Sequence, residues 1–287
     1  MRRLRLAGVA LSLHASLAHA QALWETLPPT PTLPRATSSG VATINGVRIW
    51  HAEFGQGPPV LLLHGGLANS DYWGLQVRAL QSRYRVIVMD SRGHGRSTRD
   101  ASPFSYHAMA EDVVGLMAHL KIARAAVVGW SDGAIIGLDI AIHHPDRLTA
   151  LFAFAANSTV AGSVDAAVLG SNALFNAYIA RAGREYQALS PTPTEFAAFS
   201  DQMGKMWASQ PDFASAQLAA IRTPTWIVDG DRDEVIRRDN TELMAATIPG
   251  AGLLILPHVS HFAFLQDPRQ FNDELVRFLQ RLVGPGR

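Results

Sequence analysis

No cysteine occurs anywhere in the 287-residue chain. Disulfides, thiol nucleophiles and thiolate-bound metals are therefore excluded, and packing alone must hold the fold. Basic and acidic residues nearly balance, 25 against 24, and no run of lysine and arginine occurs. Nothing marks a nucleic-acid surface. There is no internal repeat, no collagen-like or coiled-coil period, and no apolar run long enough to span a bilayer. Charged residues make up only 17% and hydrophobic ones 48%, a globular composition with ample core for one large domain or a domain with an insertion.

What is present begins with a leader. Met1-Arg2-Arg3-Leu4-Arg5 is positive, Leu6 to Leu17 is mostly apolar, and Ala18-His19-Ala20 is a small-x-small pattern. Residues 1–20 read as a secretory signal peptide, so export to the periplasm or beyond is expected, with no membrane anchor after cleavage. Three arginines and no acidic residue leave with it, which makes the remainder −2. Residues 28–34, Pro-Pro-Thr-Pro-Thr-Leu-Pro, lie in a segment (21–40) expected to be an extended tether.

Val41–Ile44, Asn45-Gly46 and Val47–Glu53 form a hairpin signal, because Asn-Gly supplies the left-handed pair that a tight turn needs. Continuous apolar runs follow at Val60–Leu63, Val86–Met89, Ala125–Val128, Leu148–Phe154, Thr225–Val228 and Leu253–Leu256. Such runs suit strands buried on both faces. Helical spacing separates most of them, clearest over 106–120 (Met109, Val113, Leu116, Met117, Leu120) and 267–282 (Phe271, Leu275, Phe278, Leu279). Strand alternating with helix predicts an α/β fold, a mostly parallel central sheet with helices on both faces. Residues 157–218 show helical pattern and turns without a strand, and are expected to form an inserted helical cap on a core of 41–156 and 219–287.

The strand at Ala125–Val128 runs into Gly129-Trp130-Ser131-Asp132-Gly133, and an apolar helical stretch follows. This is G-x-S-x-G at a strand-to-helix turn. The serine needs a sharp, strained backbone to project its hydroxyl, and small flanking residues let the two arms of the turn approach. Four more segments stand at strand ends in order: His64-Gly65-Gly66, Asp90-Ser-Arg-Gly-His-Gly-Arg-Ser97, Gly230-Asp231-Arg232-Asp233 and Ser260-His261-Phe262.

With these motifs the chain resembles the α/β-hydrolase family from about residue 41 onward. The resemblance implies a catalytic Ser131, Asp233 and His261, an oxyanion hole from the N–H groups of Gly66 (with Leu67 beside it) and Asp132, and no metal or cofactor. The chemistry is consistent: a serine hydroxyl needs a base, an imidazole titrates near neutral pH, and a carboxylate fixes the tautomer. His258 rivals His261, and Asp229 and Asp231 compete with Asp233. The carboxylate of Asp132, where relatives more often carry an apolar residue, is expected to face solvent or cap the new helix. His64, Asp90, Arg92 and His94 read as structural. His143-His144-Pro145 reads as a helix end, with no carboxylate spacing to support a metal site. Leu67, Trp73, Trp130, Met203, Met206, Trp207 and Phe262 are pocket candidates, with plain core packing as the competing reading.

The expected activity is hydrolysis of small carboxylic esters or lactones through an acyl-enzyme, with a small-molecule ester as partner and no nucleic acid. Carbon–carbon bond hydrolysis or cofactor-free perhydrolysis on the same triad is the alternative, and a binding protein on a retained hydrolase scaffold is the third reading. The oligomeric state stays open.

Overall fold

The computed structural model describes residues 21–282. The expected leader at 1–20 lies outside the described residues. Strands β1 (Ser38–Ile44) and β2 (Val47–Phe54) pair antiparallel with Ile44 opposite Val47. Asn45 and Gly46 sit at φ 47° and 83°, the two left-handed residues of a tight hairpin turn.

Strands β3 (Pro59–Leu63), β4 (Arg85–Met89), β5 (Ala125–Trp130), β6 (Leu148–Phe154), β7 (Thr225–Gly230) and β8 (Gly252–Leu256) complete an eight-stranded sheet in the order β1-β2-β4-β3-β5-β6-β7-β8. From β4 to β8 every neighbouring pair is parallel. Each apolar run of the sequence became a strand. Among these runs burial is least complete in β8, where Leu253 is 49% exposed because the strand forms the sheet edge.

Helices cover both faces. On one side α1 (Gly74–Leu80) and α10 (Pro268–Leu282) pack Val77, Leu80, Phe271 and Phe278 against the sheet, with Trp73 just ahead of α1. On the other, α2 (Tyr106–His119), α3 (Asp132–His143) and α8 (Arg238–Thr247) pack Val113, Leu116, Ile135 and Met244. The stretch between β6 and β7 holds four helices and no strand of the sheet: α4 (Ala166–Gly170), α5 (Ala173–Leu189), α6 (Phe196–Trp207) and α7 (Ser215–Ala220). The last of these packs Leu218 into the core beside α3 and α8. A short helix, α9 (Ala263–Gln266), follows β8.

The proline-rich segment is extended, but it lies against the body of the protein. Arg181 of α5 donates to the carbonyls of Leu27 and Pro28 at 2.8 and 2.6 Å, and Thr30 bonds to Glu185 of the same helix. Gln266 donates to the Thr26 carbonyl at 2.8 Å and Arg78 to that of Thr32 at 3.3 Å. The prolines have no N–H to satisfy, and the free carbonyls find side-chain donors.

Candidate active site

Ser131 sits between β5 and α3 at φ 54°, ψ −121°. A non-glycine residue in that region is strained by about 1–3 kcal/mol and is held there only by its surroundings. Its N–H donates to the Phe154 carbonyl at 2.9 Å, and its carbonyl accepts from Ala134 at 2.8 Å, the first bond of α3. The flanking glycines permit the turn. A Cβ on Gly133 would lie 2.1 Å from the Leu63 oxygen, and one on Gly129 would lie 2.3 Å from the Gly133 oxygen. No other residue fits at either place.

His261 follows β8, and its Nδ1 lies 2.8 Å from Oδ2 of Asp233 on the loop after β7. The other Asp233 oxygen accepts from the N–H groups of Val235 and Ile236 at 2.7 and 2.8 Å. The carboxylate is thus held on both sides and aimed at the imidazole. The rivals are placed elsewhere. His258 is exposed, at φ 60°, with its ring 6.1 Å from that of Trp24. Asp231 accepts weakly from Val259 at 3.3 Å. Asp229 is buried, and accepts from Thr241 Oγ1 at 2.7 Å and from the Gly230 N–H at 2.9 Å. Burial together with the Asp233 charge pushes the Asp229 carboxyl well above the usual carboxylate range.

Burial lowers the His261 pKa, with Glu234, Asp229 and Asp132 opposing. Burial also raises Asp233 to about 6 and Glu234 to about 7. Low dielectric disfavours charge on every member of the site. Glu234 accepts from the His261 N–H at 3.2 Å.

The loop after β3 abuts the elbow. A Cβ on Gly65 would lie 3.1 Å from that of Ser131, and one on Gly66 would meet Trp207 at 2.4 Å and Asp132 Oδ2 at 2.6 Å. The Gly66 carbonyl accepts from the Tyr178 hydroxyl. The Asp132 carboxylate corrects the sequence expectation: it neither faces solvent nor caps α3. It is buried, and accepts from the Tyr106 hydroxyl at 2.8 Å and from Trp207 Nε1 at 3.0 Å. Burial raises its pKa to about 6, against the pull of those two donors. Helix α3 starts at Asp132 in a direction that turns the side chain inward under α6, where only these donors can satisfy it.

Ser131, Asp132, Gly66 and His261 all border one cavity of about 640 Å³. Its walls come largely from the stretch after β6 and include Val160, Leu169, Phe175, Tyr178 and Ile179. Ser131 and His261 are thereby brought to a common space, with the Trp130 and His261 ring centroids 5.8 Å apart. Of the sequence-derived pocket candidates, Trp130 and Trp207 line it. Leu67, Trp73, Met203 and Phe262 do not. Leu67 and Met203 are buried in the core on the α2–α3 face, and Trp73 and Phe262 in that on the α1–α10 face, with the Trp73 ring 5.0 Å from Phe264. Met206 is buried core as well. Tyr106, Phe175 and Tyr178 were missed, because nothing local marks which aromatics on remote helices converge.

The remaining motif residues organise the frame. His64 donates from Nδ1 to the Gly65 carbonyl at 2.8 Å and accepts at Nε2 from Ser91 at 3.0 Å, which fixes a neutral tautomer. Asp90 accepts from Ser70 and Arg96. Arg92 forms a buried ion pair with Asp112 at 2.6 Å. His94 is buried, and desolvation drives its pKa to about 3.

Comparison with known proteins agrees with this frame. A family model described as the alpha/beta hydrolase fold matches residues 58–188. The serine hydrolase BPHL of Mus musculus is 25% identical over 264 residues, covering 88% of this chain and 90% of that protein. The pimeloyl-[acyl-carrier protein] methyl ester esterase of Aeromonas hydrophila subsp. hydrophila is 25% identical over 256 residues, covering 81% and 98%. A solved structure described as Est816, an N-acyl homoserine lactone degrading enzyme, superposes with a TM-score of 0.67 at 29% identity, covering 83% of this chain and all of that one.

Proposed function

Because this chain is a member of the α/β-hydrolase family, we propose that it is an exported serine hydrolase of small carboxylic esters or lactones, with Ser131 as nucleophile, His261 as base and Asp233 as the orienting acid. The single observation that carries the reading is the 2.8 Å bond from His261 Nδ1 to Asp233, with His261 and the strained Ser131 opening onto one cavity.

In this reading a substrate carbonyl lies against Ser131. His261 Nε2 takes the hydroxyl proton as Oγ attacks, and the imidazolium is stabilised by Asp233. The tetrahedral oxygen sits where the N–H groups of Gly66 and Asp132 converge, at the N-terminus of α3. The imidazolium returns its proton to the departing alkoxide, and water activated by the same nitrogen releases the acid. The lowered His261 pKa keeps the base neutral and competent. The apolar walls and a volume of about 640 Å³ suit a small acyl or alcohol group. A methyl ester esterase and a lactone-degrading enzyme among the similar proteins support ester or lactone as the bond class.

The test is direct. Wild-type protein should turn over p-nitrophenyl esters of graded chain length and label with a fluorophosphonate. Ser131→Ala should lose both while keeping its circular dichroism spectrum. Retained turnover in that variant would refute the assignment, and an unlabelled, inactive wild type would favour a binding protein.

A further inference from the structure

A cluster away from the cavity has the composition and spacing of a metal site. On α3, Asp139 and His143 are four residues apart and share one face; on α2, His107 and Glu111 do the same. Packing of α2 on α3 brings the pairs together. His107 Nδ1 lies 3.0 Å and His143 Nδ1 3.2 Å from the same oxygen, Oδ1 of Asp139. The three donor atoms all lie within 4.8 Å of one another. The carboxylate is 5% exposed, while the imidazoles are 55% and 39% exposed, so the group is rooted in the core and open to solvent.

We propose that His107, Asp139 and His143 form a binding site for a divalent first-row metal, with zinc as its representative. Two imidazoles and a carboxylate select zinc, copper or nickel over calcium and magnesium, which want an all-oxygen shell. Tetrahedral zinc with bonds near 2.0–2.1 Å separates its ligand atoms by about 3.3 Å, close to the present spacings. Without metal, each Nδ1–H donates to Asp139. On binding, each imidazole moves its proton to Nε2 and turns the Nδ1 lone pair to the ion. Glu111 stands ready for that tautomer, with Oε1 3.9 Å from His107 Nε2, and it also accepts from His144. A carboxylate behind a ligating histidine is the usual outer-shell partner.

The sequence reading found no carboxylate partner for His143-His144. The partners were Asp139, one helical turn back, and Glu111 on another helix. The ion would join α2 to α3. Tyr106, which holds Asp132, immediately precedes His107. The site thus sets the first turn of α2 against the helix that starts at the elbow. None of this depends on the reaction catalysed.

Titration calorimetry of the tag-free, chelator-stripped chain with zinc chloride decides the matter. One ion should bind per chain, with at least a tenfold loss of affinity in His107→Ala and in His143→Ala, both at exposed positions. Glu111→Gln should weaken binding by about tenfold. Zinc should raise the thermal midpoint of the wild type but not of His107→Ala. Absence of saturable binding, or equal binding by the histidine variants, would overturn the proposal.

Discussion

Nε1 of Trp207 donates to Oδ2 of Asp132 at 3.0 Å, so helix α6 is hydrogen-bonded to the residue that follows the elbow serine. The contact ties the roof of the cavity to its floor. It also gives a buried carboxylate a second donor beside the Tyr106 hydroxyl.

Trp207→Phe keeps the ring and removes that donor. Asp132 has a folded-state pKa of about 6, above its ordinary 3.8, so the folded protein holds the proton more tightly than the unfolded chain. Its ionisation therefore costs stability as pH rises between those values. Losing a donor to the charged form should enlarge the cost. Urea unfolding should show Trp207→Phe destabilised by about 1–3 kcal/mol at about pH 8 and by clearly less at about pH 5. An equal loss at both would mean that the bond does not favour the carboxylate.

In the proposed mechanism the His261 imidazole must be neutral to take the serine proton. Burial holds the His261 pKa below 6.5, while Asp233 titrates near 6. kcat/KM for a p-nitrophenyl ester should therefore hold its plateau down to about pH 6.5 and fall only below that. Asp233→Asn should lower kcat by about 10⁴-fold, because the amide no longer fixes the Nδ1–H tautomer. A pH–rate profile that falls already above pH 7 on the acid side would contradict this electrostatic picture.

Gly66→Ala places a methyl group 2.4 Å from the Trp207 ring and 2.6 Å from Asp132 Oδ2. One of the two must move, and the N–H of residue 66 moves with the loop. A shift of about 1 Å in a positioned donor can cost about 10²-fold, so kcat/KM should fall by roughly that amount while the protein remains folded. Activity within twofold of wild type would remove Gly66 from the oxyanion site.

How legible all this was depends on whether a signal is local. Asn45-Gly46 encodes its turn in two residues, and the apolar runs encode strands that neighbours on both sides bury. The elbow was legible for the same reason, since Gly129 and Gly133 stand beside Ser131. Weighing Asp229, Asp231 and Asp233 needed coordinates, because the three stand within five residues at the end of β7 and differ in where each points. Trp73 and Met203 read equally well as wall or core, since an apolar side chain carries no mark of which side of a layer it faces. Tyr106 and Tyr178 reach the site from helices far away in the chain.

The proline-rich strand over 26–32 runs from Gln266 and Arg78 on the body to Arg181 and Glu185 on α5. It behaves as a clasp. Helix α5 supplies Phe175, Tyr178 and Ile179 to the cavity wall, so the helix that these bonds hold is also the one that walls the cavity. A backbone stretch that lines no part of the cavity thus braces the helix that walls it, and a proteolytic cut upstream of β1 should weaken that bracing while leaving Ser131, Asp233 and His261 in place.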